Sequence, residues 1–370
     1  MRTPILQFGT SRFLQAHADL FISEAMAEGQ DVGPITVVQS SGDVSRAQRL
    51  DGLAHPFPVQ IEGLINGEQS STLTYVNSIK RTLSTAGDWQ KVIDVFVNEA
   101  EIVLSNTGDA GFLARPSDEN PVFDQSMSYP AKLMLLLRQR FEQGAKPIQI
   151  MPMELITNNG DTLKARVLEL ANGAKADFVD YLNTDVHWVN SLVDRIVSQP
   201  LEPAGAVAEP YALWAIQDHA NLRAPCRHPA IQIVPSLETI ASLKLFVLNL
   251  GHSFLADRWM QTNGVPDLLM RDVMNMSSEK TALIQMLKSE VAPAFGAAGL
   301  ADEFTPYLAT TLDRFANPFL EHRISDIAQN HSQKVERRMG ALLKWAASKG
   351  DFSEKPTLSR IVNRQQKATS

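Results

Sequence analysis

The first forty residues constrain this chain most. Ile5-Leu6-Gln7-Phe8 is a short apolar run, Gly9-Thr10-Ser11 follows it, and Phe13, Ala16, Leu20, Ile22 and Ala25 then recur at helical spacing from residue 12 to about 26. A second apolar run, Ile35-Thr36-Val37-Val38-Gln39, is ended by Ser40-Ser41-Gly42. Strand, glycine turn, helix and strand in that order make a βαβ unit.

The alternation continues. Residues 57–64 and 71–76 flank Ile65-Asn66-Gly67, which predicts a hairpin. A helix is expected over 88–98, with Trp89, Val92, Ile93 and Val97 inward, and a buried strand over 102–105 that ends in a polar turn. Another helix is expected over 129–143, with Pro130 in its first turn, then a strand over 148–152 and a helix over 161–171. Short apolar runs alternating with helices predict a parallel α/β sheet. Residues 198–210, with Pro200, Pro203 and Gly205, read as a loop. After about residue 235 strand-like runs become rare and the rest reads as helix, with a polar tail over 363–370 expected to fray.

Composition excludes several classes. The 370 residues correspond to about two domains, and 44% hydrophobic with 20% charged residues is ordinary for a globular chain rather than a disordered or fibrous one. Lys plus Arg is 34 and Asp plus Glu is 41, so the net charge of 34 − 41 = −7 gives no global bias toward nucleic acid or an anionic membrane. The single cysteine, Cys226, cannot form an internal disulfide or a cysteine-based zinc or iron–sulfur site within one chain. The first apolar run stops at Phe8, short of a signal-peptide core. The longest apolar stretch, 243–255, is interrupted by Lys244, Asn249 and His252 and falls short of the ~20 residues that span a bilayer. The expectation is a cytoplasmic protein with no nucleic-acid or membrane partner, a monomer or a small homo-oligomer.

A glycine after a first strand lets the backbone turn beneath a pyrophosphate, and the following helix start offers free amides. Gly9-Thr10-Ser11-Arg12-Phe13 stands at that point, with Ser11 and Leu14 where a dinucleotide fingerprint has its second and third glycines. The second strand ends in Gln39 rather than in the acid that binds a ribose diol. Asp43 is near, and Arg46 could meet a 2′-phosphate, so the residues leave NAD and NADP both open.

The segment Ser242-Leu243-Lys244-Leu245-Phe246-Val247-Leu248-Asn249-Leu250-Gly251-His252 is nearly all apolar and should be buried, yet it holds three polar side chains. At ~100° per residue, Asn249 lies ~140° and His252 ~80° around the helix from Lys244, so all three fit one broad face. Burial would push a lysine's pKa down toward proton transfer near neutral pH, an amide could stabilise an alkoxide-like oxygen, and a histidine could hold a neighbouring hydroxyl. Such a set suffices for carbonyl reduction without a metal. The alternative is a lysine that reaches solvent and an Asn and His that bond neighbouring backbone.

Lys-x4-Asn-x2-His, here Lys244, Asn249 and His252, resembles the catalytic signature of the polyol-specific long-chain dehydrogenases, the mannitol dehydrogenase and hexuronate reductase family. Other segments are similar to the same family in the same order. Leu6-Gln7-Phe8-Gly9 with Arg12-Phe13-Leu14 resembles its cofactor turn, and Ser105-Asn106-Thr107-Gly108-Asp109-Ala110-Gly111 resembles the Ser-Asn-Thr-Thr-Glu-Ala-Gly strand end of its tagaturonate reductase branch. Tyr129-Pro130-Ala131-Lys132-Leu133 and Glu154-Leu155-Ile156 with Asn158-Asn159-Gly160-Asp161 are similar to that branch too. So are Val193-Asp194-Arg195-Ile196 and the block Arg314-Phe315-Ala316-Asn317-Pro318 with His322-Arg323.

The resemblance implies a Rossmann-type NAD(P)-binding α/β domain over 1–235 and a mostly helical substrate and catalytic domain over 236–370, with the active site between them. It implies metal-independent hydride transfer at a secondary alcohol or ketone of a sugar acid or polyol. Lys244 would be the acid–base, Asn249 would polarise the reacting oxygen, and His252 would bind a substrate hydroxyl. Cofactor contacts are expected from Gly9, Thr10, Ser11, Arg12, Phe13, Gln39, Ser105, Asn106, Thr107 and Asn159, with NAD expected and NADP the alternative. A carboxylate on the substrate would need a basic clamp; Arg314, His322 and Arg323 are the expected substrate contacts, with Lys334 a further candidate. Glu154-Leu155 stands where polyol members have Asp-Asn, which favours the uronate branch. The altered glycine turn, the missing acid after the second strand and a chain shorter than the hexuronate reductases motivate a second reading, a Rossmann-type binding protein without turnover.

Overall fold

A computed structural model of the chain describes residues 1–144, 146–262 and 264–369. The strands run β1 (Ile5–Phe8), β2 (Ile35–Gln39), β3 (Phe57–Ile65), β4 (Glu68–Val76), β5 (Ile79–Ser84), β6 (Ile102–Ser105), β7 (Ile148–Pro152) and β8 (Val186–Trp188). Six of them form one sheet in the order β5-β2-β1-β6-β7-β8, parallel at every junction. The chain therefore winds outward from β1 to one edge and from β6 to the other, which is the doubly wound Rossmann order. Phe8 aligns with both Val38 and Ser105, so the carboxyl ends of β1, β2 and β6 finish level.

Period-two alternation explains the two apolar layers. Leu6, Phe8, Val38, Val103 and Ile150 face a cluster with Val92, Phe96, Leu133 and Leu136. Ile5, Val37, Ile102, Leu104 and Met151 face the opposite cluster with Leu20, Phe21 and Ile22. Both faces are covered, so these strands read as continuous apolar runs.

Several expectations need correction. The helix expected over 12–26 is two, Arg12–Gln15 and Ala18–Ala27. His17 breaks it at φ −129 and ψ −101, where its buried ring stacks on Phe13 and shares a 2.9 Å hydrogen bond with the carbonyl oxygen of Leu213. β5 and β8 escaped notice because they are edge strands of mixed polarity. The stretch expected to be a loop carries β10 (Val197–Pro200) and β11 (Ala206–Ala208), after β9 (Ser191–Asp194) and before β12 (Leu213–Gln217) and β13 (Ile231–Val234). These add the small sheets β10-β11-β3-β4 and β13-β12-β9. The hairpin turn lies at Asn66 and Gly67, whose φ values of 54° and 80° suit a two-residue turn.

Two units emerge. The first is Met1–Ile61, Thr72–Ala208 and Ala212–Leu237; the second is Glu62–Ser71, Glu209–Tyr211 and Glu238–Ser370. The contiguous division at 235 and 236 misses the two short excursions, because tertiary contacts alone assign them. The second unit is helical, around a core that includes Phe246, Val247, Leu250, Phe254, Leu283, Phe295 and Leu342. Its long helix, Glu238–Gln261, has 24 residues and is long and apolar enough to cross a membrane, contrary to the sequence expectation; two-thirds of its most apolar window is buried inside the protein. The tail expected to fray belongs to the helix Pro356–Thr369, whose Leu358, Ile361 and Val362 enter the core, while Ser370 lies outside the described residues.

Candidate functional site

In the first unit the carboxyl ends of β1, β2 and β6 open onto a cleft of about 450 Å³. Gly9, Thr10, Ser11, Gln39, Asn106 and Thr107 line it; Arg12, Phe13, Ser105 and Asn159 do not. Gly9 sets the turn. Its φ is +124°, and a Cβ there would lie 2.5 Å from the Asn106 carbonyl oxygen, so only glycine lets β1 turn this close to β6. Ser11 caps the first short helix, accepting from the Leu14 amide at 3.2 Å, and donates to Asn106 Oδ1 at 3.0 Å.

The residues outside the cleft have other partners. The Arg12 guanidinium donates to the carbonyl oxygens of Leu201 and Gly205 at 2.7 and 3.0 Å and pairs with Glu202. The Asn159 amide is buried and fully used: Nδ2 donates to the carbonyls of Pro152 and Glu154, and Oδ1 accepts from the amides of Gly160 and Ser191. Ser105 donates to Glu154 at 3.0 Å, and Glu154 also accepts from the Thr107 amide and hydroxyl. Burial pushes the Glu154 carboxyl up, against these hydrogen bonds. Ser105, Glu154 and Asn159 thus brace the turns after β6 and β7.

Three cations line the cleft. Arg46 pairs with Asp43 at 3.2 Å, Arg115 Nη1 donates to the Ser126 carbonyl, and Lys132 Nζ donates to the Ser40 carbonyl at 2.8 Å. Burial brings the nearly inaccessible Lys132 ammonium down to about 8. No role was read for Arg115 or Lys132 in the sequence; the one signal was the Tyr-Pro-Ala-Lys-Leu segment around Lys132. A glycine cradle at the point where the winding reverses, ringed by positive charge, fits a dinucleotide diphosphate.

In the second unit, the helix carrying Lys244, Asn249 and His252 is not a plain α-helix. Lys244–Asn249 is a π turn between the α segments Glu238–Leu243 and Leu250–Gln261. An i→i+5 ladder brings residues five apart about one turn apart, as residues four apart are in an α-helix. Lys244 and Asn249, ~140° apart on a plain helix, thereby come into register, and His252 follows three residues on in α geometry. Lys244 and Asn249 are half-buried, not fully buried as expected, whereas His252 is buried. The His252 ring stacks on Phe315 at 4.2 Å and meets His322 edge-on at 5.1 Å. Desolvation, with the His322 imidazole and the cations Arg314, Arg338 and Lys334 nearby, holds His252 well below the usual imidazole range, so it is neutral at pH 7.

Of the three expected substrate contacts, His322 meets the ring of this row directly. Arg314 makes a bidentate pair with Glu209, at 2.8 and 3.0 Å, with its side chain 3% and that of Glu209 1% exposed, and lies 4.3 Å from the Tyr211 ring. Arg323 is exposed and pairs with Asp267. Asn317 accepts from the Phe319 amide and donates to the Glu62 carbonyl. The Arg-Phe-x-Asn-Pro block is thus a structural joint within this unit.

Comparison with known proteins gives a consistent picture. The mannitol dehydrogenase Rossmann domain matches residues 3–226, and the mannitol dehydrogenase C-terminal domain matches residues 236–357. The altronate oxidoreductase of Halalkalibacterium halodurans is 28% identical over 365 residues, covering 90% of this chain and 69% of that protein. That of Bacillus subtilis is 27% identical over 383 residues, covering 96% and 78%. The fold is that of a D-sorbitol dehydrogenase solved without substrate, with TM-score 0.78 at 18% identity, covering 93% of this chain and 76% of the other. The mannitol 2-dehydrogenase of Pseudomonas fluorescens, solved with NAD and D-mannitol, aligns with TM-score 0.73 at 18% identity, covering 98% and 78%.

Proposed function

The chain belongs to the mannitol dehydrogenase family, and on that premise we propose that it transfers a hydride between NAD and a secondary alcohol or ketone of a sugar acid or polyol. The observation that carries this reading is the π turn at Lys244–Asn249, which converts a five-residue spacing into an aligned acid–base and amide.

NAD, when bound, supplies the nicotinamide carbon that accepts or returns the hydride. The rest falls to the chain's own residues. Gly9, Thr10, Ser11, Asn106 and Thr107 hold the diphosphate and the adjoining ribose, and Arg46, Arg115 and Lys132 offset its charge. In the oxidative direction, Lys244 Nζ takes the hydroxyl proton from the substrate; in reduction it returns that proton to the new oxygen. Asn249 Nδ2 donates to the same oxygen and favours the state in which negative charge develops there. Neutral His252 can both donate to and accept from a hydroxyl on the neighbouring carbon. The first unit serves as the nucleotide domain and the second as the substrate domain of a cytoplasmic enzyme, monomeric or a small homo-oligomer, with no nucleic-acid or membrane partner.

The test is the change in NADH absorbance with purified protein and a panel of keto-uronates, ketoses and their alcohols, run beside Lys244→Met. Turnover of a member of the panel is expected, and Lys244→Met should lose roughly 10²–10⁴-fold in kcat while still binding NADH. A Lys244→Met protein that keeps full turnover at neutral pH would refute the proton-transfer assignment.

A further inference from the structure

Of the residues expected to clamp a carboxylate, Arg314 pairs with Glu209 and Arg323 with Asp267, while the remaining candidate Lys334 lies on another helix beside the catalytic row, together with Arg338. Arg338 lies in another π segment, Glu336–Gly340, which follows directly on the helix His331–Val335 that carries Lys334. Its Nη1 donates to the carbonyl oxygen of Asn249 at 2.9 Å and to Ser253 Oγ at 2.8 Å. Lys334, one turn earlier, donates to the Ile327 carbonyl at 2.8 Å. Both side chains are half-buried. Among the described residues neither has a carboxylate within ion-pair distance, and each lies near a like charge: Lys334 near Arg338, and Arg338 near Arg337. Both also act on His252, with His322; Asp326, which acts on His322, is the acid of this cluster. Two partly desolvated cations held by backbone and hydroxyl oxygens, with no carboxylate at ion-pair distance among the described residues, are costly unless a ligand supplies one.

We propose that Arg338, with Lys334, forms an anion subsite beside His252 that receives the carboxylate of a sugar acid and discriminates it from the corresponding polyol. The inference rests on the dehydrogenase reading above and names its substrate class. Asn249 and Ser253, the two positions Arg338 grips, are ~6 Å apart along the helix. A carbon chain with its reacting hydroxyl at Lys244 and Asn249, running along the row past His252, brings its far end to Arg338. The planar fork of Arg338 has donors to spare beyond Nη1, and it suits a carboxylate better than a hydroxymethyl group.

The experiment is calorimetric binding of D-altronate and of its alditol, D-altritol, to the full chain in the presence of NADH, for the parent, Arg338→Gln, Arg338→Lys and Lys334→Gln. The parent should bind the acid roughly ten- to hundredfold more tightly than the alditol, Arg338→Gln should bring that ratio to about one, and the two other variants should fall between. A purely structural role for Arg338 in bracing the Asn249 carbonyl would weaken both ligands alike and leave the ratio intact, and that result overturns the proposal. So does a parent that binds both ligands equally. A parent that binds the acid selectively through Arg338 but oxidises neither ligand when NAD replaces NADH would sink the dehydrogenase reading and leave the subsite standing.

Discussion

Replacing Arg314 by leucine separates its two possible roles. Arg314 and Glu209 make two hydrogen bonds, at 2.8 and 3.0 Å, with side-chain exposures of 3% and 1%, so solvent screening is almost absent. Arg314→Leu removes both of these hydrogen bonds from the buried Glu209 carboxylate, and breaking one side of such a pair costs about 3–5 kcal/mol. At roughly 2–4 °C per kcal/mol, the melting temperature of the second unit should fall by about 6–20 °C. Glu209→Leu should cost a similar amount. The double variant should lose clearly less than the sum, since it strands neither charge. Circular dichroism melts of the four full-length proteins measure this directly. A single variant that melts like the parent while its affinity for a sugar acid collapses would refute the structural role and return Arg314 to the substrate. Additive losses across the cycle would refute the coupling.

Three further outcomes follow from the same geometry. Gly9→Ala places a Cβ 2.5 Å from the Asn106 carbonyl oxygen at a φ of +124°, so NADH affinity, read by fluorescence titration, should fall by at least about tenfold; an unchanged dissociation constant would refute the tight turn. Asn159→Ala orphans the amides of Gly160 and Ser191 and should cost about 3 kcal/mol in urea unfolding with little change in NADH affinity, whereas weakened binding in a stable protein would make Asn159 a cofactor residue after all. Burial brings His17 down to about 3, so it stays neutral in the folded chain while the unfolded chain takes up its proton below about pH 6.5. Its contribution is therefore intact above pH 6.5 and lost as the pH falls toward 3, by about 1.4 kcal/mol per unit, and His17→Gln should flatten that slope in urea titrations between pH 6.5 and 4.5.

Much of the molecule was legible before any tertiary information. Apolar runs with period-two alternation and the turn at Gly9 are local properties, and they announced β1, β2, β6 and β7 of a parallel sheet together with a helical second half. The edge strands β5 and β8 were not legible, because a strand exposed along one edge carries mixed polarity and needs no apolar run. The spacing of Lys244, Asn249 and His252 was readable as a set, but not the π turn that aligns the first two, since i→i+4 and i→i+5 ladders differ in hydrogen bonding rather than in composition.

Charge was the least legible property. Arg12, Arg314, Arg323, Lys334 and Arg338 are equivalent as letters, and each is a plausible partner for an anion. Only tertiary packing decides that Arg12 is spent on the carbonyls of Leu201 and Gly205, that Arg314 pairs with Glu209 and that Arg323 meets Asp267 in solvent, while Lys334 and Arg338, beside His252, are held by carbonyl and hydroxyl oxygens with no carboxylate at ion-pair distance among the described residues. Backbone pattern is set by neighbours along the chain, and so the sequence determined the sheet, the glycine turn and the row of Lys244, Asn249 and His252 on one apolar helix. Whether a side chain is a ligand or a brace depends on which distant groups satisfy it, and those partners lie as far apart along the chain as Glu209 and Arg314.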